Sequence, residues 1–482
     1  MKIRSLSLLS LSILMLSMLL LTACGTFEIS IETEGSSQGA EAPTFTAPAP
    51  MENEPLSPAP MMPTPTPWDH TPPTPEAAFT PVPVDAYKAP AGLRIAFANE
   101  GDVWLWTAEE REAIPLTKLG DAEGDLRISD DGELVAFLRE WEELWMVSTD
   151  GTGEQPLVTS AELGELGPDG AGAELGRFEW VPGTHILAFN TRLPAAIGQT
   201  LNHDLHLLDA DTLRLTTLLP SGEGGEFYYS PDGSQIALVT PNEISLIDAD
   251  GENRRDRVLT YTPVATHSEY QYYARPVWAT DGSALRVAIP PADPLTGSVQ
   301  LMTIWHIPTD GSPAWLVRSV AAAPTLDPNV LSFSSDLGFV AYIQLRGPEN
   351  ALPEETEIWL ELRRLGTEDV MASPDVDVLF GWAPASRHFA YLLGRQAPQL
   401  RIGQWSGKGF PGSVDAGTPV VEFDWLDAEH YLLTAGQRWS REAEGGSYDL
   451  ILGDITGSST ILITSTDFPH YDFALVDQTT QE

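Results

Sequence analysis

Between Glu226 and Gly251 the chain reads EFYYSPDGSQIALVTPNEISLIDADG, where short apolar runs alternate with turn chemistry in a fixed order. FYY, QIALV and ISLI have strand length, and the breaks SPDG, TPNE and DADG carry the Pro, Gly, Asp and Asn that turns require. This is an antiparallel meander. The phrase recurs along the chain, and aligning on the residue before each first turn gives Ile128, Trp180, Tyr229, Trp278, Phe333, Trp382 and Trp425. All but Ile128 are aromatic, and an apolar run follows each turn: LVAFL, ILAFN, IALV, LRVAI, FVAYI, FAYLL and YLLTA. A repeat of roughly fifty residues built from short strands is the mark of a propeller rather than of a single packed core.

The repeats account for the region from about Leu93 to Glu482. Ahead of the first full copy, LRIAFAN, DVWLWT and AIPLTK supply three strands, with no convincing strand before them. After the last copy, YDLILGDI and STILITS are followed by one surplus strand, HYDFALVD at residues 470–477. If that strand completes the first blade, the ring closes. The expectation is an all-β protein: a propeller of eight four-stranded antiparallel blades, or seven if the copies at Phe333 and Trp425 merge or are irregular.

The N-terminal part is different in kind. Met1 to Arg4 is short and basic, Ser5 to Leu21 is strongly apolar, and Leu21-Thr22-Ala23-Cys24 ends in the single cysteine. That is an export-signal pattern, and one thiol leaves no disulfide framework to build. Residues 24–92 are rich in Pro, Thr, Ala, Ser and Glu, a composition too poor in apolar groups to offset the entropy of ordering. A disordered linker of polyproline-II character is expected, with a maximal reach of about 200 Å at roughly 3.1 Å per residue. Gly35-Ser36-Ser37-Gln38-Gly39 matches G-x-S-x-G, but a nucleophile elbow needs a preceding strand and a following helix, and neither is read there.

Two resemblances add to this. LTAC resembles the lipobox of bacterial lipoproteins, which implies cleavage after residues 1–23, lipidation of Cys24 and anchoring to a membrane outside the cytoplasm, at the cell surface or in the periplasm. Gly25 leaves open which membrane. The alternatives are an uncleaved membrane helix or an unmodified secreted protein. SPDGSQIALVTPNEISLIDADG, and more loosely DDGELVAFLREWEELWMVSTDG and ATDGSALRVAI, resemble the repeats of TolB-like propellers, periplasmic relatives of WD40 repeats also described as PD40 repeats. This resemblance covers residues 93–482 and implies a fold rather than a function. Nothing resembles TolB's separate N-terminal domain, so its role is not carried over, and no α/β-hydrolase pattern follows as in prolyl-oligopeptidase-type peptidases.

Strand order by itself sorts the loops. In a four-stranded meander the first and third connections share one face of the ring, and the second connection and the blade-to-blade crossing share the other. The first set is tight here. The second holds the insertions Ala161 to Gly176, Thr191 to His203, Tyr261 to Arg275, Pro290 to Ser298, Arg346 to Thr356 and Gly436 to Ser447. Long loops on a rigid scaffold are usual binding sites, although they are also tolerated as plain surface insertions. HSEYQYYARP places His267, Tyr270, Tyr272, Tyr273 and Arg275 together, and GQRWSREAEGG places Trp439 between Arg438 and Arg441. Tyr, Trp and Arg are the residues of binding hot spots, while the plain reading puts two of those tyrosines in the next strand, facing the core.

Catalytic and metal motifs are not read. His203 and His206 have an HxxH spacing that, on a strand, sends the two rings to opposite faces. Asp248-Ala249-Asp250-Gly251 starts like a calcium loop, but Leu259 stands where that loop needs Glu, and a strand-to-strand turn fits better. No haem or phosphate-binding motif is present, so no cofactor is implied. With 69 acidic and 26 basic residues the net charge is −43, which repels nucleic acid and anionic lipid alike. Membrane attachment then depends on the lipid at Cys24. The expectation is a monomeric, tethered, non-catalytic scaffold for an envelope protein or a glycan or peptide ligand. The alternative is an envelope hydrolase or lyase with its site on the long-loop face, and what separates the two is a converging set of carboxylates, His or Ser in the central funnel.

Mass spectrometry of the N-terminus checks the processing: the expected species begins at a diacylglyceryl-modified, N-acylated Cys24. Recovery of intact Met1 to Ala23, or of an unmodified Cys24, refutes it.

Overall fold

A computed structural model describes residues 80–81 and 87–476, apart from 119, 121, 141, 168–171, 195–198, 295–300, 324–329, 348–355, 395–397, 407–419, 437–446 and 467–469. Eight antiparallel sheets follow one another around a ring. The stretch that opened the sequence reading forms blade four, with strands Glu226–Tyr229, Gln235–Thr240, Glu243–Asp248 and Arg255–Thr260 in simple meander order. Blades two, three, five, six and eight begin with inner strands Ala122–Ile128, Glu174–Trp180, Val277–Trp278, Leu331–Phe333 and Val420–Trp425. Blade seven shows three strands among the described residues, starting with Val376–Trp382. The count is therefore eight and not seven.

Blade one is closed by the far end of the chain. Tyr471–Leu475 pairs antiparallel with Leu93–Asn99, in register Leu93↔Leu475 to Phe97↔Tyr471, and becomes the inner strand that the N-terminal segment lacks. Without it, Leu93–Asn99 would present an unpaired row of backbone donors and acceptors. A second closure comes from residues before Leu93, within the segment expected to be linker. Thr80–Pro81 pairs parallel with Ser458 and Ser459, extending blade eight by a fifth strand. Tyr87, 4% exposed, packs with Leu93, Phe97 and Trp106 of blade one and Leu432 and Leu450 of blade eight. Burial pushes the Tyr87 phenol far up from its ordinary value, and the charge of Asp454 adds to the rise.

Each apolar cluster sits between neighbouring blades rather than inside one. Ala136, Leu144 and Phe178 join blades two and three, and Ala383, Leu400, Phe423 and Tyr431 join blades seven and eight. A blade is a sheet with two apolar faces, so it buries neither without a partner on each side.

The repeated aromatic has a second task that its size alone does not reveal. Trp180 Nε1 donates to the carbonyl of Arg127 on the preceding blade at 3.0 Å, Trp278 to Tyr228 at 3.0 Å, and Trp425 to Gly381 at 3.2 Å. Each acceptor lies one residue before the aligned position of the preceding blade. The indole thus fills the interface and satisfies an inner-strand carbonyl facing it. The turn that follows is equally regular. In SPDG, Ser230 Oγ donates to Asp232 at 2.6 Å and accepts from Gln235 N at 2.9 Å, and Ser129 and Ser334 repeat the arrangement. The fourth turn residue is left-handed, Gly233 at φ 69°, and in SSDLG that position falls on Leu337 at φ 55°, whose side chain is kept because it packs into the core.

Deleting Phe468 to Glu482 removes the closing strand and uncovers Leu93, Ile95 and Phe97. The expected result is one cooperative transition for the whole ring shifted down by roughly 10 °C, read by differential scanning calorimetry. An unchanged melting temperature would show that the strand does not close the ring.

Candidate functional site at the channel

The loop expected to bind, Tyr261 to Arg275, connects blades four and five and ends at the inner strand Val277–Trp278. It is pinned along its length. Tyr261 Oη donates to Thr240 O at 2.7 Å, Ala265 N to Ala292 O at 2.7 Å, and Thr266 Oγ1 to Tyr270 O at 2.5 Å. His267, in a left-handed conformation at φ 54°, pairs with Asp293 at 3.0 Å. Tyr270 is 41% exposed and Arg275 is also exposed, whereas Tyr272 and Tyr273 are half-buried against the blade four–five cluster. None of the three tyrosines belongs to the following strand, so the two inward ones owe their burial to the loop itself. Burial pushes the Tyr272 and Tyr273 phenols up to about 12. The second expected cluster, Arg438, Trp439 and Arg441, and the lipidation site Cys24 lie outside the described residues.

The two histidines of HxxH are separated by their partners. His203 meets Tyr273, with Nε2 and Oη 2.7 Å apart, while His206 meets Asp204 at 3.0 Å. His203 sits at φ 53° between two anchors. Asp204, 1% exposed, accepts from Thr191 N at 2.8 Å, Thr191 Oγ1 at 2.5 Å and Asn202 Nδ2 at 2.8 Å, and Gly224 N donates to His203 O at 2.6 Å. Burial drives Asp204 upward, but the bonds from His206 and Thr191 outweigh it and hold the carboxyl below its ordinary value. The buried hydrogen-bonded network fixes the end of the Thr191 to His203 loop, and burial keeps His203 below the usual imidazole range.

Inside the channel lies a site that sequence reasoning missed. A cavity of about 250 Å³ is lined by Asp125, Leu126 and Arg127 of blade two, Glu422 and Asp424 of blade eight, and His470 to Phe473 of blade one. Alternation on inner strands points 125 and 127, 422 and 424, and 470 and 472 to the same side. Three carboxylates are held above their ordinary values. Burial, with Asp424 and Asp125 nearby, lifts Glu422 to about 7, and one of its oxygens, Oε2, is enclosed without a hydrogen-bond donor among the described residues. Burial lifts Asp472 to about 6 even though Arg127 and the Ile128 N–H, 2.9 Å from Oδ2, oppose the rise. Asp424 is raised by the same cause, against a hydrogen bond from Tyr471. Burial and Arg127 together lower His470, opposed by Asp125.

Arg127 is the hub of this wall. Its guanidinium lies 5.6 Å from the Phe178 ring centroid and donates to its own Leu126 O at 2.6 Å, and its charge reaches Glu422, Asp424, Asp472 and Glu179. On the inner strand of the neighbouring blade three, Arg177 pairs with Glu179 at 2.5 Å and lies over Tyr228 at 4.7 Å. A separate group, Asp131, Glu133 and His185, has its ligand atoms close enough for a metal ion. His185, however, already bridges Asp131 at 2.8 Å and Asp211 at 3.0 Å, so both ring nitrogens are engaged in a latch between blades two and three. Burial opposes protonation there, but the bonds to Asp211 and Asp131 prevail and raise the imidazole pKa.

No family profile matches this chain, and no curated protein matches it in sequence. Many solved structures share the fold. An oligogalacturonate lyase from Vibrio parahaemolyticus aligns at TM-score 0.41 and 15% identity, over 63% of this chain and 83% of its own. Dipeptidyl peptidase 4 from Porphyromonas gingivalis aligns at 0.47 and 15%, over 71% and 53%. A eukaryotic initiation factor aligns at 0.48 and 12%, over 80% and 98%. At these identities and scores the likeness carries nothing about what this chain binds or catalyses.

The raised carboxyls make stability depend on pH in a defined sense. Glu422, ordinarily 4.5, and Asp472, ordinarily 3.8, bind their protons more tightly when folded. Their contribution is fully present below those ordinary values and is lost as pH rises through about 6 to 7. Comparing wild type with Glu422→Gln from pH 5 to pH 8 should show the variant gaining on the order of 1–2 kcal/mol relative to wild type, after discounting for screening along the channel. Parallel pH profiles of unfolding would refute the assignment.

Proposed function

We propose that this chain is a lipid-tethered, extracytoplasmic β-propeller of the TolB-like, PD40-repeat type, a non-catalytic scaffold that binds an envelope protein or a glycan or peptide ligand on its long-loop face. One observation carries the reading. An exposed Tyr270 and Arg275 are presented by a loop pinned at several points beside a rigid ring. A platform ordered before binding loses less entropy on association. Attachment rests on the LTAC ending, with two or more acyl chains holding the protein far more firmly than one.

A second reading, an envelope hydrolase or lyase, is favoured by the axial cavity. Carboxyls that titrate near neutral pH, as Glu422 and Asp472 do, are suited to proton transfer. The two readings part at Glu422→Gln: a scaffold keeps its partner binding, and an enzyme of this kind loses turnover by about 100-fold or more.

Capture from envelope extract, followed by alanine substitution, maps the face. Tyr270→Ala and Arg275→Ala should each weaken the captured partner by about 2 kcal/mol if they are hot spots. Asp232→Ala and Asp250→Ala, in the opposite turns, should leave affinity unchanged. The reverse pattern places the site on the tight-turn face and refutes the proposal.

A further inference from the structure

The turn after a blade's inner strand bonds the next blade in the same way at two seams. Between Ser129 and Glu133, Asp131 spends Oδ1 on its own turn, accepting from Ser129 Oγ at 2.7 Å and Glu133 N at 3.0 Å, while Oδ2 meets His185 Nε2 of blade three at 2.8 Å. In blade six, Asp336 Oδ1 accepts from Ser334 Oγ at 2.7 Å and Gly338 N at 3.0 Å, and Oδ2 accepts from Arg387 Nη2 of blade seven at 2.8 Å. The match extends to register: each Asp stands three residues past the aligned position of its blade, and each base five past that of the next. A backbone bond accompanies it at both seams, from Gly183 N to Asp130 Oδ2 at 2.7 Å and from Ala385 N to Ser335 Oγ at 2.9 Å. In blades four, five and six the position of the base holds Ser234, Ser283 and Gly338, and in blade eight His430, which bonds Asp427 of its own turn.

His185 differs from Arg387 in one respect: it can lose its charge. Its Nδ1 also meets Asp211 Oδ1 at 3.0 Å, so both ring nitrogens face carboxylate oxygens. A neutral imidazole has one N–H, and only the imidazolium donates from both nitrogens. Arginine in the matching position donates and offers no lone pair to a metal ion, so the position calls for a cationic donor. Asp131 is a fitting acceptor: burial raises it, but the bonds from Ser129, Glu133 N and His185 hold it below its ordinary value. Asp336 is held down to about 2, against burial, by bonds from Arg387, Ser334 and Gly338 N. We propose that His185 is a proton-operated clasp. Charged, it ties blade two to blade three as Arg387 ties blade six to blade seven; on losing its proton it sets a lone pair against one of its two carboxylates and slackens that seam.

The device goes beyond the proposed function and holds for a scaffold and an enzyme alike. The groups around the imidazole are Asp130, Asp131 and Glu133 from blade two and Asp211 from its own blade, with the Trp180 ring edge-on at 6.5 Å. Asp209 shares the Asp211 turn, accepting from Asp211 N at 3.0 Å, and Arg94 of blade one reaches the blade two turn, donating to Gly132 O at 2.7 Å. Burial opposes protonation of His185, but the bonds to Asp211 and Asp131 prevail and raise its pKa above the ordinary 6.5. The contribution of the clasp is therefore fully present below 6.5 and is lost as pH rises through the folded value. Asp211 is largely exposed, so solvent screens the bond and the effect on the whole ring is small.

The test uses the full chain in detergent. Nitrogen NMR of the labelled histidines at pH 6 should show His185, identified by the signal lost in His185→Gln, with both ring nitrogens protonated. Its titration midpoint should lie above 6.5, and Asp131→Asn should lower it. In calorimetry from pH 5.5 to pH 9, His185→Arg should gain about 1–2 °C in melting temperature on the wild type once the imidazole has titrated, a small shift because a ring of this size melts with a large entropy. Arg387→His should do the reverse, losing a similar amount relative to wild type as pH rises. Glu422 and Asp472 are common to every protein compared, so their titration cancels from these differences. The proposal is overturned by a singly protonated His185 ring at pH 6, by a midpoint at or below 6.5, or by a His185→Arg difference that stays level across the range. Should His185→Arg fail to fold, the NMR midpoint and the Arg387→His profile decide, and a level profile there overturns the proposal as well.

Discussion

The pairing of Tyr471–Leu475 with Leu93–Asn99 is the contact on which everything else depends. Each blade is a sheet with two apolar faces, and seven clusters bury those faces between neighbours all the way round, from blades one and two through to blades eight and one. An open arc would leave one face bare at each end. Closing it takes two segments from opposite ends of the chain, and Tyr87 adds a buried ring to the same seam.

Closure also creates the channel chemistry. Ala122–Ile128, Val420–Trp425 and Tyr471–Leu475 belong to three different sheets, and only the ring sets their inward residues side by side. Carboxylates so placed lose much of their hydration and repel one another, which is why Glu422 and Asp472 hold protons near neutral pH. Arg127 moderates this without cancelling it. Its carbonyl receives the Trp180 indole while its guanidinium meets the acids, so one residue serves both the blade interface and the cavity.

The two faces of the ring divide their labour. Ser–Asp turns such as Ser230–Asp232 satisfy their own backbone and leave little to offer a partner. On the opposite face, insertions carry Tyr270 and Arg275 outward while Asp204, Asn202 and Tyr261 hold their bases in place. A stiff frame with side-chain variety at one end suits the binding role proposed for that face, and an overall charge of −43 would disfavour acidic partners.

How much was legible beforehand follows from the range of the forces involved. Strands, turns, blade number and the spare closing strand were all readable, because period-two alternation and Pro, Gly and Asp at turns act over a few residues and the phrase repeats. The rim cluster was visible for the same reason: HSEYQYYARP is contiguous. The indole bonds to the preceding blade were hidden, because a Trp that fills an interface looks the same in sequence as one that also donates. The axial cavity was hidden more deeply. Arg127, Glu422 and Asp472 are far apart in the chain, each is an ordinary polar residue on an inner strand, and no local pattern marks them. Alternation in the sequence determined that those residues point away from the blade cores. Only the closed ring decided that they point at one another, because proximity across the channel is a property of eight blades together.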